Sequence, residues 1–158
     1  MNSRLQQNES GSLKLAVAVS ASHSDPIKGG TISWSYLIES LTRVTVGAKE
    51  GKGWVAAHIP DGSRTNNRVV TTSLLVFDID NKTHTVTQDE LERVVRDNGY
   101  KAILHSTYSH TPEHPKFRLI LAISEPIKPS DYTSMLPQVA QNHGISDFIN
   151  KAWNMPSH

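Results

Sequence analysis

The sequence predicts an α+β fold, and three features carry that expectation. Runs rich in β-branched and apolar residues recur at 14–20, 74–79, 100–106 and 117–123. Two segments have helical apolar spacing with cap signals, one starting at Thr87 and one at Ser130. The last two strand runs are separated by a loop alone, so they are expected to be antiparallel neighbours rather than arms of a βαβ unit.

At 158 residues the chain has room for one sizeable domain and not for two comfortable ones. A formal charge of +1 gives no overall attraction for a polyanion, so nucleic-acid contact requires locally clustered basic residues. The absence of cysteine excludes disulfides and thiolate metal sites and fits a reducing cytoplasmic setting. No apolar run reaches transmembrane length and no signal-peptide core opens the chain, so no membrane role is expected.

Taken in order, residues 1–11 are polar and rich in Asn, Gln and Ser, and are expected to be a disordered leader to a domain spanning 12–158. A strand at 14–20 and a loop at 22–30 follow. Trp34, Tyr36, Leu37, Ile38 and Leu41 are spaced for a short helix capped by Ser33 or Ser35. The stretch 46–53 is rich in glycine and lysine but is no P-loop. Gly47 is too close to Gly51-Lys52-Gly53, and no hydroxyl follows the lysine. It reads as a solvated hairpin leading into the apolar run 54–59. Lys49, Lys52, Arg64 and Arg68 make one basic concentration ahead of the next strand.

That strand is the chemical centre of the sequence. Val69, Val70, Thr71 and Thr72 lead into Leu74-Leu75-Val76-Phe77-Asp78-Ile79-Asp80-Asn81, an apolar run suited to a sheet interior. Side chains alternate along a strand, so Asp78 and Asp80 share a face with Cα atoms about 7 Å apart. Two adjacent carboxylates at the end of a buried strand repel and lose hydration, which a divalent cation such as Mg²⁺ or Mn²⁺ relieves. The plainer reading makes Asp78 a strand end and Asp80-Asn81 the start of a turn.

Downstream, Thr87 and Glu90 form a capping box, Leu91, Val94 and Val95 an apolar stripe, and Gly99 a stop signal. The final helix is expected from Ser130 to about Asn142, ended by Gly144, with Pro137 kinking it or starting a new turn. Ser106, Ser109, His110, Lys116 and Arg118 gather donors around the hairpin between the last two strands. Beside a carboxylate-held metal, such donors suit the binding of a triphosphate. Alone, His110 also reads as a loop histidine, and Arg118 as a strand residue paired with a carboxylate. His105, expected to face outward, does not make a zinc set with His110 and His114, because the spacings fit no standard motif.

In this order, the Asp78-Ile-Asp80 strand end, the Ser106-Thr-Tyr-Ser-His110 segment running through Pro115-Lys-Phe-Arg118 to Leu121, and the later acid Asp147 resemble a known family. The pattern resembles the archaeo-eukaryotic primase superfamily, specifically the primase-polymerase-like domains of phage and plasmid replication proteins. The resemblance covers the chain from about Trp34 onward. It implies an RRM-like antiparallel or mixed catalytic sheet flanked by helices, with a small N-terminal α/β unit. It implies that Asp78, Asp80 and Asp147 are catalytic and hold two Mg²⁺ or Mn²⁺ ions for nucleotidyl transfer. Ser106, Ser109, His110, Lys116 and Arg118 would then bind the incoming NTP or dNTP, and Lys49, Lys52, Arg64 and Arg68 a single-stranded DNA template. A helicase or further replication domain is an implied partner.

One departure is visible. The family carries an arginine soon after the third acid, in an Asn-Pro-x-Arg-like segment, whereas Asn154-Met-Pro-Ser here runs into His158. A C-terminally truncated domain is therefore expected, and a degenerate module that binds nucleic acid or nucleotide without turnover is the alternative. A metal-dependent phosphohydrolase of the haloacid-dehalogenase type fits less well, because Lys82 stands where a Thr or Val is required.

Overall fold

The computed structural model describes residues 13–20, 26–43, 53–62, 66–82 and 85–145. The expected leader, Lys49, Lys52, Arg64 and Asp147 lie outside the described residues.

The described chain is α+β, with two three-stranded antiparallel sheets and three helices. In the first sheet β1 (Lys14–Ser20) is central, paired with β2 (Lys28–Ser33) on one side and β3 (Gly53–Val55) on the other. β2 takes in the last three residues of the expected 22–30 loop. Its glycines signal a turn in sequence, yet Gly29 is there because backbone packs against it. A Cβ at Gly29 would sit 2.8 Å from the Ile59 carbonyl oxygen. The expected apolar run 54–59 forms only the short β3 before the chain bends away, and His58 bridges to Thr71. Helix α1 (Trp34–Thr42) follows β2 directly, with the Ser33 hydroxyl accepting from the Tyr36 N–H, as the cap signal predicts.

The second sheet has the order β4-β6-β5, from β4 (Thr72–Ile79), β5 (Ala102–Ser106) and β6 (Phe117–Ile127). β6 lies between two strands that are parallel to each other, so β4, α2 (Gln88–Asn98) and β5 form a split β-α-β unit. β6 is four residues longer than expected, because a bulge between Thr72 and Leu74 keeps β4 paired out to Ile127.

Burial explains the layering. Seven of the eight β4 residues are buried, so β4 is covered on both faces. Leu74 and Val76, with Ile103, Ile120 and Ala122, pack against Leu15, Val17, Trp34 and Leu37 of the N-terminal unit. Leu75, Phe77, Leu119 and Leu121 join the cluster of Leu91 from α2 and Tyr132, Leu136 and Val139 from α3 (Pro129–Asn142). The Lys101 ammonium lies 5.9 Å over the Trp34 ring, a further tie between α1 and the start of β5.

The α2 caps follow the sequence: Thr87 and Glu90 close a capping box, and Gly99 takes the left-handed conformation at φ 63°. Helix α3 differs. Lys128 stands at its N-cap without a side-chain bond, Pro129 takes the first helical position and Ser130 the second. Proline's fixed φ suits that position, and its missing N–H is one that the helix would leave unpaired anyway. Pro137 does not divide α3, which continues through it as one element.

Candidate functional site

Register builds the site at the open end of the second sheet. The unbroken apolar run of β4 stops at Phe77, and Asp78 is paired with Arg118 of β6, which in turn is paired with His105 of β5. Directly opposed side chains on one face of a sheet are close enough to interact. The Arg118 Nε donates to Asp78 Oδ1 at 2.7 Å. Just beyond the paired strands, Lys116 Nζ lies 3.0 Å from Asp80 Oδ1. Each carboxylate therefore meets a cation from the start of β6, and only one oxygen of each is taken by these ion pairs. The side chains of Asp78 and Asp80 stay 44% and 34% exposed.

His105 is not outward-facing as expected. Its Nδ1 donates to the Ser106 carbonyl at 2.8 Å, and its Nε2 is enclosed without a partner. Burial holds this imidazole below its ordinary pKa, with the Arg118 charge acting the same way, so it is neutral near pH 7. Among the described residues no cluster of three His, Cys, Asp or Glu is placed to hold a metal.

The β5–β6 loop is a structured hairpin. The Thr107 N–H donates to the Lys116 carbonyl at 3.1 Å, and the His110 N–H to the Thr107 carbonyl at 3.0 Å. The Lys116 N–H, which can only donate, points at His110 Nδ1 from 3.1 Å. Nδ1 is also 3.1 Å from the Lys116 carbonyl, so the ring meets the Lys116 backbone in either tautomer, accepting from the N–H or donating to the carbonyl. An edge-on contact with Phe117, at 5.5 Å between ring centroids, holds the ring from another side.

Asp78, Asp80, Lys116 and Arg118 are thus brought together in two ion pairs, with His110 held against the Lys116 backbone. Ser106 and Ser109 are exposed at the end of β5 and in the turn that follows. Arg68, in a short 3₁₀ helix (Asn66–Arg68), donates to the Asp61 carbonyl at 2.9 Å.

The carboxylates suit a hard divalent cation by their chemistry: two aspartates from one strand end, each with an oxygen outside its ion pair and a partly exposed side chain. Asp78 and Asp80 are the described residues that would hold Mg²⁺ or Mn²⁺.

Sequence reasoning treated Asn81 as a mere turn residue, yet it is fully buried at φ 44°. Its amide donates to the Val86 and Pro115 carbonyls, both at 2.9 Å, and its Oδ1 accepts from the Val86 N–H at 3.0 Å. The available signal was its residue type, since asparagine tolerates the left-handed conformation after a strand end.

The family model for the VapE N-terminal domain matches residues 42–156. The chain belongs to the VapE N-terminal domain family. This family is associated with phage and plasmid replication. The VapE N-terminal domain match includes β3, the aspartate strand, the hairpin and α3, and leaves β1, β2 and most of α1 ahead of it. No curated protein and no solved structure matches the chain. Among the described residues of this VapE N-terminal domain, no helix is long and apolar enough to cross a membrane.

Proposed function

We propose that this domain is a metal-dependent nucleotidyltransferase of the primase-polymerase type, working in phage, plasmid or mobile-element DNA replication. The observation that carries the reading is the convergence, at one sheet end, of two strand-end carboxylates, two cations, Lys116 just before β6 and Arg118 within it, and a histidine held against the Lys116 backbone. The proposed reaction joins a primer or initiating 3′-hydroxyl to the α-phosphorus of an NTP or dNTP on a single-stranded DNA template. The bond to the β-phosphate breaks and pyrophosphate leaves. Asp78 and Asp80, with Asp147 supplied from later in the chain, would hold two Mg²⁺ or Mn²⁺ ions, which when bound acidify the attacking hydroxyl and neutralise phosphate charge.

The chain's own groups do the rest. Arg118 and Lys116 carry fixed positive charge beside the carboxylates and can offer N–H donors to phosphate oxygens. His110, in the tautomer that accepts from the Lys116 N–H, can donate from Nε2 to a phosphate. Ser106 and Ser109 bring exposed hydroxyls to the same hairpin. Lys49, Lys52, Arg64 and Arg68 are proposed for the template, and a helicase or further replication domain as a partner.

A second reading is a module that binds nucleotide or nucleic acid without turnover. It is favoured by the ion pairs themselves, since both carboxylates already have a cation partner.

Nucleotide incorporation on single-stranded DNA with Mg²⁺ or Mn²⁺ separates the two. Wild-type protein is expected to extend or initiate a strand, and the double variant Asp78→Ala, Asp80→Ala to lose that synthesis. Folded wild-type protein that binds the triphosphate yet synthesises nothing sinks the enzymatic reading and leaves the binding module.

A further inference from the structure

We propose that Asn81 is a positioning residue that fastens the His110 hairpin to the Asp78–Asp80 strand end, so that carboxylates and phosphate donors are held in one register. This rests on the nucleotide-binding reading of the site. The chain leaves β4 at Asp80, and three contacts bind that exit to a loop more than thirty residues away. Asn81 Nδ2 donates to the Pro115 carbonyl at 2.9 Å. The His114 Nε2 lies 3.2 Å from the Asp80 carbonyl, a pair in which only the imidazole can donate. The Lys116 ammonium lies 3.0 Å from the Asp80 carboxylate.

Of these, the Asn81 link is the most enclosed. The residue has no exposed surface, and both its amide hydrogens and its oxygen are engaged. A buried amide satisfied at every hydrogen has one orientation available, and breaking one bond strands a polar group away from water. Through Val86 the same side chain also fixes the approach to α2, so strand end, helix entry and hairpin share one anchor. Pro115 and Lys116 are adjacent, and the Lys116 backbone holds His110 Nδ1 at 3.1 Å. A shift of the Pro115 carbonyl would thus pass to both phosphate-binding candidates.

The test uses Asn81→Gly, which removes the side chain but tolerates φ 44°, so backbone strain is not confounded with the lost bonds. Asn81→Asp, which keeps the acceptor for Val86 and loses the donors, serves as the second variant should the glycine chain not fold. Hydrogen exchange is read at the Thr107, His110 and Lys116 amides against the slowest amides of β4 and β6, with Mn²⁺–ATP affinity measured in parallel. The expected result is faster exchange confined to the hairpin and triphosphate binding weakened about tenfold or more, with the slowest amides unchanged. Unchanged hairpin exchange in a folded variant overturns the fastening. Faster exchange with undiminished ATP affinity overturns the positioning role. Wild-type protein that binds no triphosphate overturns the nucleotide reading instead, and the exchange data still decide whether Asn81 holds the hairpin.

Discussion

A guanidinium 2.7 Å from Asp78 and an ammonium 3.0 Å from Asp80 compete with any divalent cation for those carboxylates. The same two cations are the ones best placed to meet phosphate. Removing either should therefore move two affinities in opposite directions. In Arg118→Gln and Lys116→Gln, Mn²⁺ alone should bind roughly two- to fivefold more tightly, the range expected for a partly exposed ion pair. Mn²⁺–ATP should bind more weakly. Titration calorimetry measures both, and Mn²⁺ affinity that falls in these variants would show that the cations support the metal site instead of opposing it. At this scale the sequence was partly legible. Asp78, Asp80 and the hairpin donors stand out by type and spacing, and the pairing of Arg118 with a carboxylate was one of the readings that spacing allowed. Asn81 did not stand out, because its value lies in three partners at Val86 and Pro115 that only the folded chain brings to it.

Among the elements, α3 ends on a pH-sensitive contact. His143 Nε2 lies 2.6 Å from the Tyr100 hydroxyl, and burial holds the imidazole below its ordinary value of 6.5. Burial does the same to His105. Both rings bind a proton less readily in the folded chain than in the unfolded one. Their contribution is whole above the unfolded value and is lost as pH falls through 6.5 towards the depressed folded values. Urea midpoints should therefore drop between pH 7 and about 5.5. His143→Gln, which keeps an acceptor for Tyr100, should flatten that drop. An equally acid-sensitive variant would remove His143 from the account. Local signals served the elements well where chemistry is local: the Thr87–Glu90 box, Gly99 and the Ser33 cap are all where the sequence puts them. They misled at Ser130, because a proline one residue earlier already suits the first helical position, and at Lys28–Ser33, where β1 needs a neighbour more than two glycines resist one.

For the molecule as a whole, the alternating faces of β4 and β6 join two cores into one body. Leu74, Val76 and Ile120 look to the N-terminal unit, while Leu75, Phe77 and Leu119 look to the α2–α3 side. The Thr72 hydroxyl, fully buried, donates to the Ala56 carbonyl and links β4 to the chain leaving β3. Thr72→Val is close in shape and leaves that carbonyl without its donor. It should cost about 1–3 kcal/mol of stability, measured by chemical denaturation, and an unchanged midpoint would mean the bond contributes nothing net. The α+β class follows from the order of strand and helix patterns. The placement of β6 at the centre does not, since adjacency in sequence explains its pairing with β5 but not with β4. That second pairing comes from burying both faces of an apolar strand and setting Arg118 opposite Asp78.

The hairpin's attachments have an asymmetry of their own. Apart from the ion pair of Lys116 with the Asp80 carboxylate, Asp80, Pro115 and Lys116 accept through main-chain carbonyls, which every amino acid possesses, whereas the donors are the side chains of Asn81 and His114 and the amide of Thr107. Substitution can delete a side-chain donor but not a carbonyl. The information that holds this loop is thus concentrated in a few letters of the sequence, and the exposed Pro112 and Glu113, enclosed by the Thr111–His114 turn, make none of these attachments.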